Sequence, residues 1–398
     1  MKNATMIFSV FIGWFAVAAT PQVKNVKATQ RWPINGKVDI SYEVVGDMAS
    51  GLPEWNKPYL LVSVWDRARP WYYDDLVYEA AANALSGDTG YGAGKHHIVW
   101  DLDKQGISLN TQDAVFEVTY GTKKYCVIDL SAGPNATSYP VSYLMSASTV
   151  NVYEYKTNKL ILRIIEPGTF KMVGKYDVTL TKPFYIGVFE ITQKQFYLVT
   201  GQDPSTYKGD IKPVESVFED VIRADRSNWG VNNIDPNSFI GRLRARTKLN
   251  FELPTEEQWE YACRAGTTTD FNDGSSGSSV AMDRLGRYSG NNGRYDANFN
   301  LIEGAIPTAN VGSYIPNAWG LFDMHGNVRE LCLNIYGDLT SGGIDSAGRT
   351  NTRNYRTSRG GSWRDRYGGC TSSSREGSVV RSGESLAVHG FRIALTLQ

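Results

Sequence analysis

The chain has 398 residues, a length that predicts two or three domains at roughly 100–200 residues each. Hydrophobic residues make up 41% and charged residues 21%, so the chain carries enough apolar side chains to bury extended cores. Lysine plus arginine and aspartate plus glutamate number 41 each, which gives a formal charge of zero. A neutral chain lacks the basic field that holds nucleic acid or an anionic membrane surface, so neither partner class is expected.

The first 18 residues have the pattern of a secretory signal peptide. Lys2 precedes an apolar run from Met6 to Ala18, and the small residues Ala16 and Ala18 suit cleavage before Ala19. The run is shorter than the roughly 20 apolar residues that span a bilayer, although an uncleaved anchor is the alternative. We therefore predict a secreted or periplasmic protein with no membrane span in the mature chain.

Residues 19–145 are predicted to form an antiparallel β-sandwich accessory domain with its linker. Apolar and polar residues alternate in KVDISYEVVG, and YLLVSVWD, HHIVWDL and AVFEVTYG follow with turn signals between them. An irregular extension of the next domain is the alternative. The glycine-rich GYGAGK is interpreted as a turn, since it lacks the context of a phosphate-binding loop. Turn-forming residues in LSAGPNATSYP predict a linker over 121–150 and a boundary near 145–155.

The remainder, 150–398, combines short strands and helices with long loops, so the fold class is α+β. The segments LILRIIEPGTFKMV and PFYIGVFEIT are each predicted to be a strand. Two helices are predicted from capping boxes, one starting at Thr192 with Gln195 and one at Thr255 with Gln258. Gly, Asn, Ser and Asp dominate after residue 267, which predicts mostly loop.

Five long strings occur in fixed order across roughly 160–398. They are FYIGVFEITQKQF, LPTEEQWEYACRAGTTT, NAWGLFDMHGNVRELC, RGGSW and HGFRIAL. In sequence and in order they resemble the formylglycine-generating enzyme, or sulfatase-modifying factor, family. The resemblance implies a loop-rich C-type-lectin-like fold for this part of the chain, often stabilised by calcium. It does not include the N-terminal β-sandwich.

The segment NAWGLFDMHGNVRE could form a calcium-binding loop. Calcium takes six to eight hard oxygen ligands. Asp323 and Glu330 supply carboxylates, and Gly326 permits a sharp turn that brings carbonyls to the ion. The resemblance implies one structural calcium held by the side chains of Asp323 and Glu330 and by the carbonyls of Gly326 and Val328.

Other interpretations of the same loop stay open. Glu330 could pair with Arg329 or Arg392, and Asp323 could cap a turn. A second family calcium site would draw on Asn298 and the next residue, but the acidic segment that completes it is shortened in this chain.

The resemblance also implies copper-dependent oxidation of a substrate cysteine to an aldehyde by two cysteines five residues apart. Soft Cu(I) prefers soft sulfur ligands. Here RGGSWRDRYGGC places Asp365 at the first cysteine position and Cys370 at the second, and Ser362 matches the serine of the motif. Because a carboxylate is a poor Cu(I) ligand, we predict that the copper reaction is lost or strongly weakened. If activity remains, Cys370 and Ser362 are the candidate catalytic residues.

Four cysteines, Cys126, Cys263, Cys332 and Cys370, could form up to two disulfides in three pairings. Cys370 could be a buried unpaired thiol, a disulfide partner of Cys263 or Cys332, or a reactive thiol. The resemblance implies a bridge from Cys263 to the position just after GFR, which is Ile393 here, so that bridge is not expected. With four histidines in the chain, a His-rich zinc or iron site is not expected either.

His325 and His389 are expected to be structural rather than catalytic. Several aromatic side chains could line a groove for a peptide or sugar, and several arginines could hold an acidic ligand. Core packing and pairing with nearby acids are the simpler expectations. The aromatic residues are Trp229, Trp319, Trp363 and Tyr367, and the arginines are Arg359, Arg364, Arg366, Arg375 and Arg381.

The sequence favours an exported sulfatase-modifying-factor-like protein that is a non-catalytic or divergent binding or structural member. Its expected ligand is a protein, a peptide or a glycan. The alternative is a formylglycine-generating oxidase that acts on a cysteine of an exported sulfatase. An iron-dependent oxidase would need a His-rich helical domain, which these residues do not include.

Overall fold

The structure is a computed structural model whose described residues fall into two compact units. The described residues are 22–30, 36–45, 59–66, 78–80, 84–88, 92–105, 107, 114–121, 123–144, 150–217, 219–223, 233–292, 307–337, 342–345, 356–378 and 386–397. The first unit lies within 1–124 and 142–146, and the second within 125–141 and 147–398. The predicted signal peptide and the residues Trp229, Asn298 and Arg381 lie outside the described residues.

The first unit is built from two antiparallel sheets. Its strands are β1 (Gln22–Gln30), β2 (Lys37–Val45), β3 (Tyr59–Asp66), β4 (Tyr78–Glu79), β5 (Leu85–Gly87), β6 (Gly94–Asp101) and β7 (Ala114–Gly121), and a 3-10 helix covers Asp103–Gln105. One sheet has the strand order β1-β2-β6-β5 and the other has the order β4-β3-β7. Every second residue of β2 is buried, and these side chains share one core with Val62, Val64 and Phe116 of the other sheet. The predicted antiparallel β-sandwich is confirmed.

The second unit contains short strands, short helices and long loops. Its strands are β8 (Tyr125–Asp129), β9 (Val141–Leu144), of which Val141 belongs to this unit, β10 (Lys159–Ile165), β11 (Gly168–Met172), β12 (Tyr176–Leu180), β13 (Phe184–Gly187), β14 (Arg329–Ile335), β15 (Gly343–Ile344), β16 (Arg356–Arg359), β17 (Arg375–Ser378), β18 (His389–Gly390) and β19 (Ala394–Thr396). Its helices are α1 (Gln193–Thr200), α2 (Glu219–Ile222), α3 (Phe239–Thr247), α4 (Glu256–Arg264) and α5 (Ser279–Leu285), with 3-10 helices at Tyr153–Lys156, Tyr367–Gly369 and Leu386–Val388. The α+β class is confirmed.

Three sheets organise this unit, with strand orders β19-β13-β10-β8-β9, β11-β12-β15 and β17-β16-β14-β18. Helix α4 packs Trp259, Ala262 and Cys263 into a core that also holds Ile186 and Met324. The third sheet and the loops around it carry the candidate site. Across the described residues, no helix has the length and apolar character needed to cross a membrane.

Two local predictions for α1 and α4 match the structure. At α1, Thr192 accepts the backbone N–H of Gln195 at 3.2 Å, and the Gln195 side chain accepts the Thr192 N–H at 3.0 Å. At α4, Thr255 and Gln258 make the same reciprocal pair at 3.1 and 3.0 Å. Both capping boxes follow from side chains three residues apart, so no distant contact is needed to predict them.

Two expectations along the chain differ from the structure. Strand β8 lies inside the stretch 121–150 that was expected to be a linker. Four of its five side chains are buried and it pairs with β10, so this part of the stretch belongs to a folded sheet. The second unit therefore starts earlier than the expected boundary near 145–155. The segment LILRIIEPGTFKMV forms two strands rather than one, because the extended strand is interrupted at Glu166 and Pro167, between β10 and β11.

Candidate functional site

A polar pocket of about 350 Å³ opens in the second unit beside the segment RGGSWRDRYGGC. Its walls come from β14, β16, β17 and the loop between β16 and β17. The lining residues are Arg329, Ser358, Gly361, Asp365, Gly369, Ser373, Ser374, Arg375 and Glu376. Asp365, at the first of the two cysteine positions that the resemblance implies, lies in this wall, so the pocket is the candidate functional site.

Strand β14 supplies both the pocket and the core, because successive residues of a strand point to opposite faces. Arg329 is directed to the pocket and pairs with Asp365. Glu330, the next residue, is fully buried and pairs with Arg392. The strand is held in place by antiparallel β16 on one side and parallel β18 on the other.

The Asp365 carboxylate is fixed by four hydrogen bonds. Arg329 donates from Nε at 3.0 Å and from Nη2 at 2.5 Å. Ser362 donates from its backbone N–H at 2.8 Å and from its hydroxyl at 2.7 Å. Ser362 is fully buried and does not line the pocket, so its hydroxyl holds Asp365 in position.

The other charged side chains of the pocket also have partners of opposite charge within the chain. Arg329 reaches Glu376 through Nη1 at 2.8 Å, and Glu376 is 54% exposed. Arg375 donates to the Glu256 carboxylate from Nε at 3.1 Å and from Nη2 at 3.0 Å, and its Nη1 donates to the Gly337 carbonyl at 2.7 Å. Glu256 is buried and does not line the pocket, so these contacts fix the Arg375 guanidinium to the protein interior.

Cys370, at the second of the two cysteine positions that the resemblance implies, is not among the lining residues of the pocket. Its side chain is fully buried and packs with Phe271, Met282, Leu285 and Tyr288. Burial, followed by the charge of Asp365, raises the pKa of the Cys370 thiol far above its ordinary value. The thiol is therefore protonated at neutral pH, and the nucleophilic or metal-binding thiolate is disfavoured.

None of the four cysteines is in a disulfide, and all four are buried. Among the interpretations of Cys370, the structure supports the buried thiol. Cys263 lies in the core of α4, where burial raises the pKa of its thiol to about 12.

The predicted sharp turn in the segment 323–328 is present. Asp323, Gly326 and Asn327 have φ values of +56°, +80° and +60°. A Cβ atom on Gly326 would come within 2.1 Å of the Arg287 carbonyl oxygen, so only glycine fits at this position.

The predicted calcium ligand Glu330 is committed to other partners. Arg392 binds both carboxylate oxygens through Nε and Nη2 at 2.5 Å each, and the Trp259 indole N–H donates to Oε2 at 2.7 Å. All three side chains are buried. The pairing with Arg392 is the alternative that the sequence left open.

Asp323, in the same loop, has a carboxylate with only one of its two oxygens hydrogen-bonded within the described residues. Its Oδ2 accepts the Gly312 N–H at 2.6 Å, while its Oδ1 is buried with no hydrogen-bond partner within the described chain. Burial, together with the charge of Glu330, raises the pKa of Asp323 to about 6.

Glu190, which the sequence analysis did not single out, also faces this loop. Its carboxylate accepts the Asn327 side-chain amide at 2.6 Å and the Val328 backbone N–H at 3.1 Å. Burial, followed by the charges of Asp323 and Glu330, raises its pKa well above the ordinary value. An acid at the end of the apolar run FYIGVFE was the available sequence signal.

The predicted calcium ligand set of Asp323, Gly326, Val328 and Glu330 does not fit the ion in this arrangement. Arg392 already neutralises Glu330 and occupies both of its oxygens, which leaves Asp323 Oδ1 as the available carboxylate oxygen of the set. The described ranges contain no group of three or more acidic, His or Cys side chains placed to hold a metal.

The two histidines have the surroundings expected of structural residues. His325 Nε2 accepts the Asn272 N–H at 3.2 Å, so Nδ1 carries the proton and donates to the Cys370 carbonyl at 2.7 Å. Burial lowers the pKa of His325 to about 4. His389 is buried opposite Arg329 in the pairing of β18 with β14, and burial followed by the Arg329 charge lowers its pKa to about 4.

The predicted aromatic and arginine sets are used mostly for packing and pairing. Trp363 donates its indole N–H to the Ala387 carbonyl at 2.9 Å, and Trp319 packs edge-on against Tyr261. Arg359 is buried and paired with two acids of α4. Tyr367 is 40% exposed at the start of the 3-10 turn that reaches the pocket.

Comparison with known proteins identifies the family to which the sequence of the second unit is similar. The family model described as a sulfatase-modifying factor enzyme 1-like domain matches residues 152–397. The chaperone protein LppX of Paenibacillus barcinonensis is 32% identical over 230 residues, which cover 51% of this chain and 78% of LppX. The formylglycine-generating enzyme of Mycobacterium tuberculosis is 37% identical over 78 residues, which cover 20% of this chain and 25% of that enzyme.

Two solved structures resemble the fold at low identity. Treponema denticola variable protein 1 is 21% identical with a TM-score of 0.47, covering 60% of this chain and 95% of that chain. PvdO from Pseudomonas aeruginosa is 22% identical with a TM-score of 0.46, covering 60% of this chain and 94% of that chain. Because the family model matches well over half of its residues, the chain belongs to the sulfatase-modifying factor enzyme 1-like domain family.

Proposed function

We propose that this chain is an exported, divergent member of the family that acts by binding a ligand rather than by copper-dependent oxidation. The observation that carries the proposal is the hydrogen bonding of the Asp365 carboxylate. This residue stands where the family resemblance implies a thiolate, and Arg329 and Ser362 satisfy its carboxylate with four hydrogen bonds.

Three features disfavour Cu(I) at this place. A carboxylate is a hard ligand, and Cu(I) selects soft sulfur. The Arg329 guanidinium adds a positive charge beside the position that a copper ion would take. Cys370 is a buried thiol whose raised pKa disfavours the thiolate that metal binding requires.

Other observations support a binding role. One relative carries the name of a chaperone protein, a role defined by binding to another molecule. The pocket has an open volume of about 350 Å³, and neither candidate catalytic residue, Cys370 or Ser362, is among its lining residues. The pattern of the first 18 residues supports export. Ligand binding in the pocket needs neither Cys370 nor Ser362.

The proposal is tested by anaerobic Cu(I) titration of the reduced mature protein, together with turnover of a cysteine-containing peptide. A formylglycine-generating enzyme serves as the positive control under the same conditions. We expect no tight stoichiometric copper binding and no aldehyde in the peptide. Copper bound at one equivalent together with an aldehyde product would establish the oxidase alternative and reject the proposal.

A further inference from the structure

We infer that His96, in the first unit, carries a proton on both ring nitrogens and acts as a pH-dependent latch between β5 and β6. The inference concerns the β-sandwich and not the pocket, so it stands whether or not the proposed function is correct. It rests on the two hydrogen-bond partners of the imidazole ring, on the burial of the ring and on the aromatic ring stacked against it.

The His96 ring has an oxygen acceptor at each nitrogen. Nδ1 lies 3.0 Å from Oδ2 of Asp88, and Nε2 lies 2.7 Å from the backbone carbonyl oxygen of Gly92. A carbonyl oxygen only accepts, and the Asp88 side chain is 59% exposed, so water keeps it as an ionised carboxylate. A neutral imidazole has one N–H and donates to only one of these oxygens. The doubly protonated ring satisfies both contacts at once.

The surroundings of the ring also favour its cationic form. His96 is buried and stands directly opposite Tyr42 in the pairing of β2 with β6. The two rings are stacked, with centroids 5.2 Å apart and an angle of 16° between their planes, so the face of the phenol is presented to the imidazolium. The Tyr42 hydroxyl donates to the Asp88 backbone carbonyl at 3.3 Å, so the same tyrosine also holds the acid in place.

Asp88 and Tyr42 are the titratable groups that face His96 within the described residues. The ring has no further hydrogen bond or ion pair there. Its neighbours along β6, Lys95 and His97, project to the opposite, exposed face of the sheet, because successive residues of a strand alternate. Apart from Tyr42, the described core on the buried face is apolar. The protonation of His96 is therefore governed by its carboxylate, its carbonyl and the stacked phenol ring.

The latch makes the end of the β5–β6 pairing sensitive to pH. Asp88 donates its backbone N–H to the His97 carbonyl at 2.9 Å, so the residue that holds the His96 ring also extends the pairing beyond Gly87. A histidine in an unfolded chain is half protonated at about pH 6.5. Because the folded unit holds the same proton between two acceptors, this contribution to stability is complete below that pH and is lost as the pH rises above it.

The protonation is tested by NMR of the full mature protein, labelled with a nitrogen isotope at its histidine rings. The chain has four histidines, so the signals of His96 are identified by their absence in His96→Gln and by their contact with the stacked Tyr42 ring. We expect both ring nitrogens of His96 to carry a proton at neutral pH. A ring with one protonated and one bare nitrogen would overturn the inference.

The latch is tested by hydrogen–deuterium exchange at the Asp88 amide, corrected for the intrinsic effect of pH on exchange. The amide should be protected about tenfold less at pH 8 than at pH 6, because one hydrogen bond to a charged group is lost. Asp88→Asn is the matched variant, since its amide donates to Nδ1 of a neutral ring while Nε2 still donates to Gly92. We expect this variant to stay protected at both pH values.

His97→Gln is the control, because it changes the exposed neighbouring ring and should retain the pH dependence of the unmodified protein. Equal protection of the unmodified protein at both pH values, or an unchanged pH dependence in Asp88→Asn, overturns the latch. Circular dichroism shows whether each variant folds, and the NMR measurement reads the protonation in the unmodified protein.

Discussion

Asp365 stands at a position where the family resemblance implies a copper-binding cysteine, and its neighbours hold a carboxylate there. Its carboxylate depends on Arg329, and the thiol of Cys370 is packed among Phe271, Met282 and Leu285. We therefore predict that Asp365→Cys does not restore tight Cu(I) binding, because Arg329 still places a positive charge there and Cys370 remains a buried thiol.

The measurement is anaerobic Cu(I) titration of reduced Asp365→Cys, with Asp365→Asn as the matched variant that loses the charge without gaining a thiol. Both variants lose the ion pair to Arg329, so both should lose about 1–3 kcal/mol of stability. One equivalent of tightly bound copper in the cysteine variant would contradict the prediction.

Asp323 makes the folded protein sensitive to pH. Its pKa is raised from 3.8 to about 6 by burial, so the folded protein binds a proton more strongly than the unfolded chain does. Stability should therefore fall as the pH rises from about 4 to about 6 and level off above that, by about 3 kcal/mol for this group. Glu190, whose pKa is also raised, changes stability in the same direction.

Asp323→Asn keeps the acceptor for the Gly312 N–H and removes the titration. Urea unfolding between pH 4.5 and 7.5 should show a shallower loss of stability in this variant than in the unmodified protein. Equal slopes for the two proteins would exclude Asp323 as a source of the pH dependence.

The sequence predicted calcium binding at the same loop, but the pairing of Glu330 with Arg392 disfavours it. Arg392 supplies the positive charge beside the acids, so we expect added calcium to leave the Tm unchanged relative to magnesium or a chelator. Differential scanning calorimetry checks this. A calcium-specific rise in Tm that disappears in Asp323→Asn would restore the calcium prediction.

At the level of elements, the ion pair between Arg392 and Glu330 joins the segment before β19 to β14, and Trp259 joins α4 to both. Removing one partner of a buried pair leaves an uncompensated charge, so Arg392→Met should lose about 3–5 kcal/mol of stability. The double variant Arg392→Met/Glu330→Gln should recover part of the loss. Urea unfolding measures both, and a single variant as stable as the unmodified protein would show that the pair is dispensable.

The elements that could be predicted from sequence are those whose signals are local. The alternation in β2 and the capping boxes at Thr192 and Thr255 each depend on residues within a few positions, and the structure matches them. The pairs that shape the site join distant residues. Arg329 meets Asp365 across 36 positions and Glu190 meets Asn327 across 137, and no periodicity in one sequence indicates such partners.

At the level of the whole molecule, the decisive question is where the second unit begins. Strand β8 lies between β10 and β9 in the largest sheet, and its Tyr125, Val127 and Ile128 are buried. The loop after it is also tied in, since Tyr139 donates to the Leu198 carbonyl and accepts from Arg246 at 2.7 Å. The family model, which starts at residue 152, does not include these contacts.

We therefore predict that a chain of residues 123–398 folds cooperatively and that a chain of residues 150–398 does not. The shorter chain loses the buried side chains of β8, each worth about 1.5–3 kcal/mol, against a total stability of about 5–15 kcal/mol. It also exposes the edge of β10, which favours aggregation. Circular dichroism melts and size-exclusion chromatography of the two chains test this, and equal sharpness and Tm would place the boundary near residue 150, where the sequence put it.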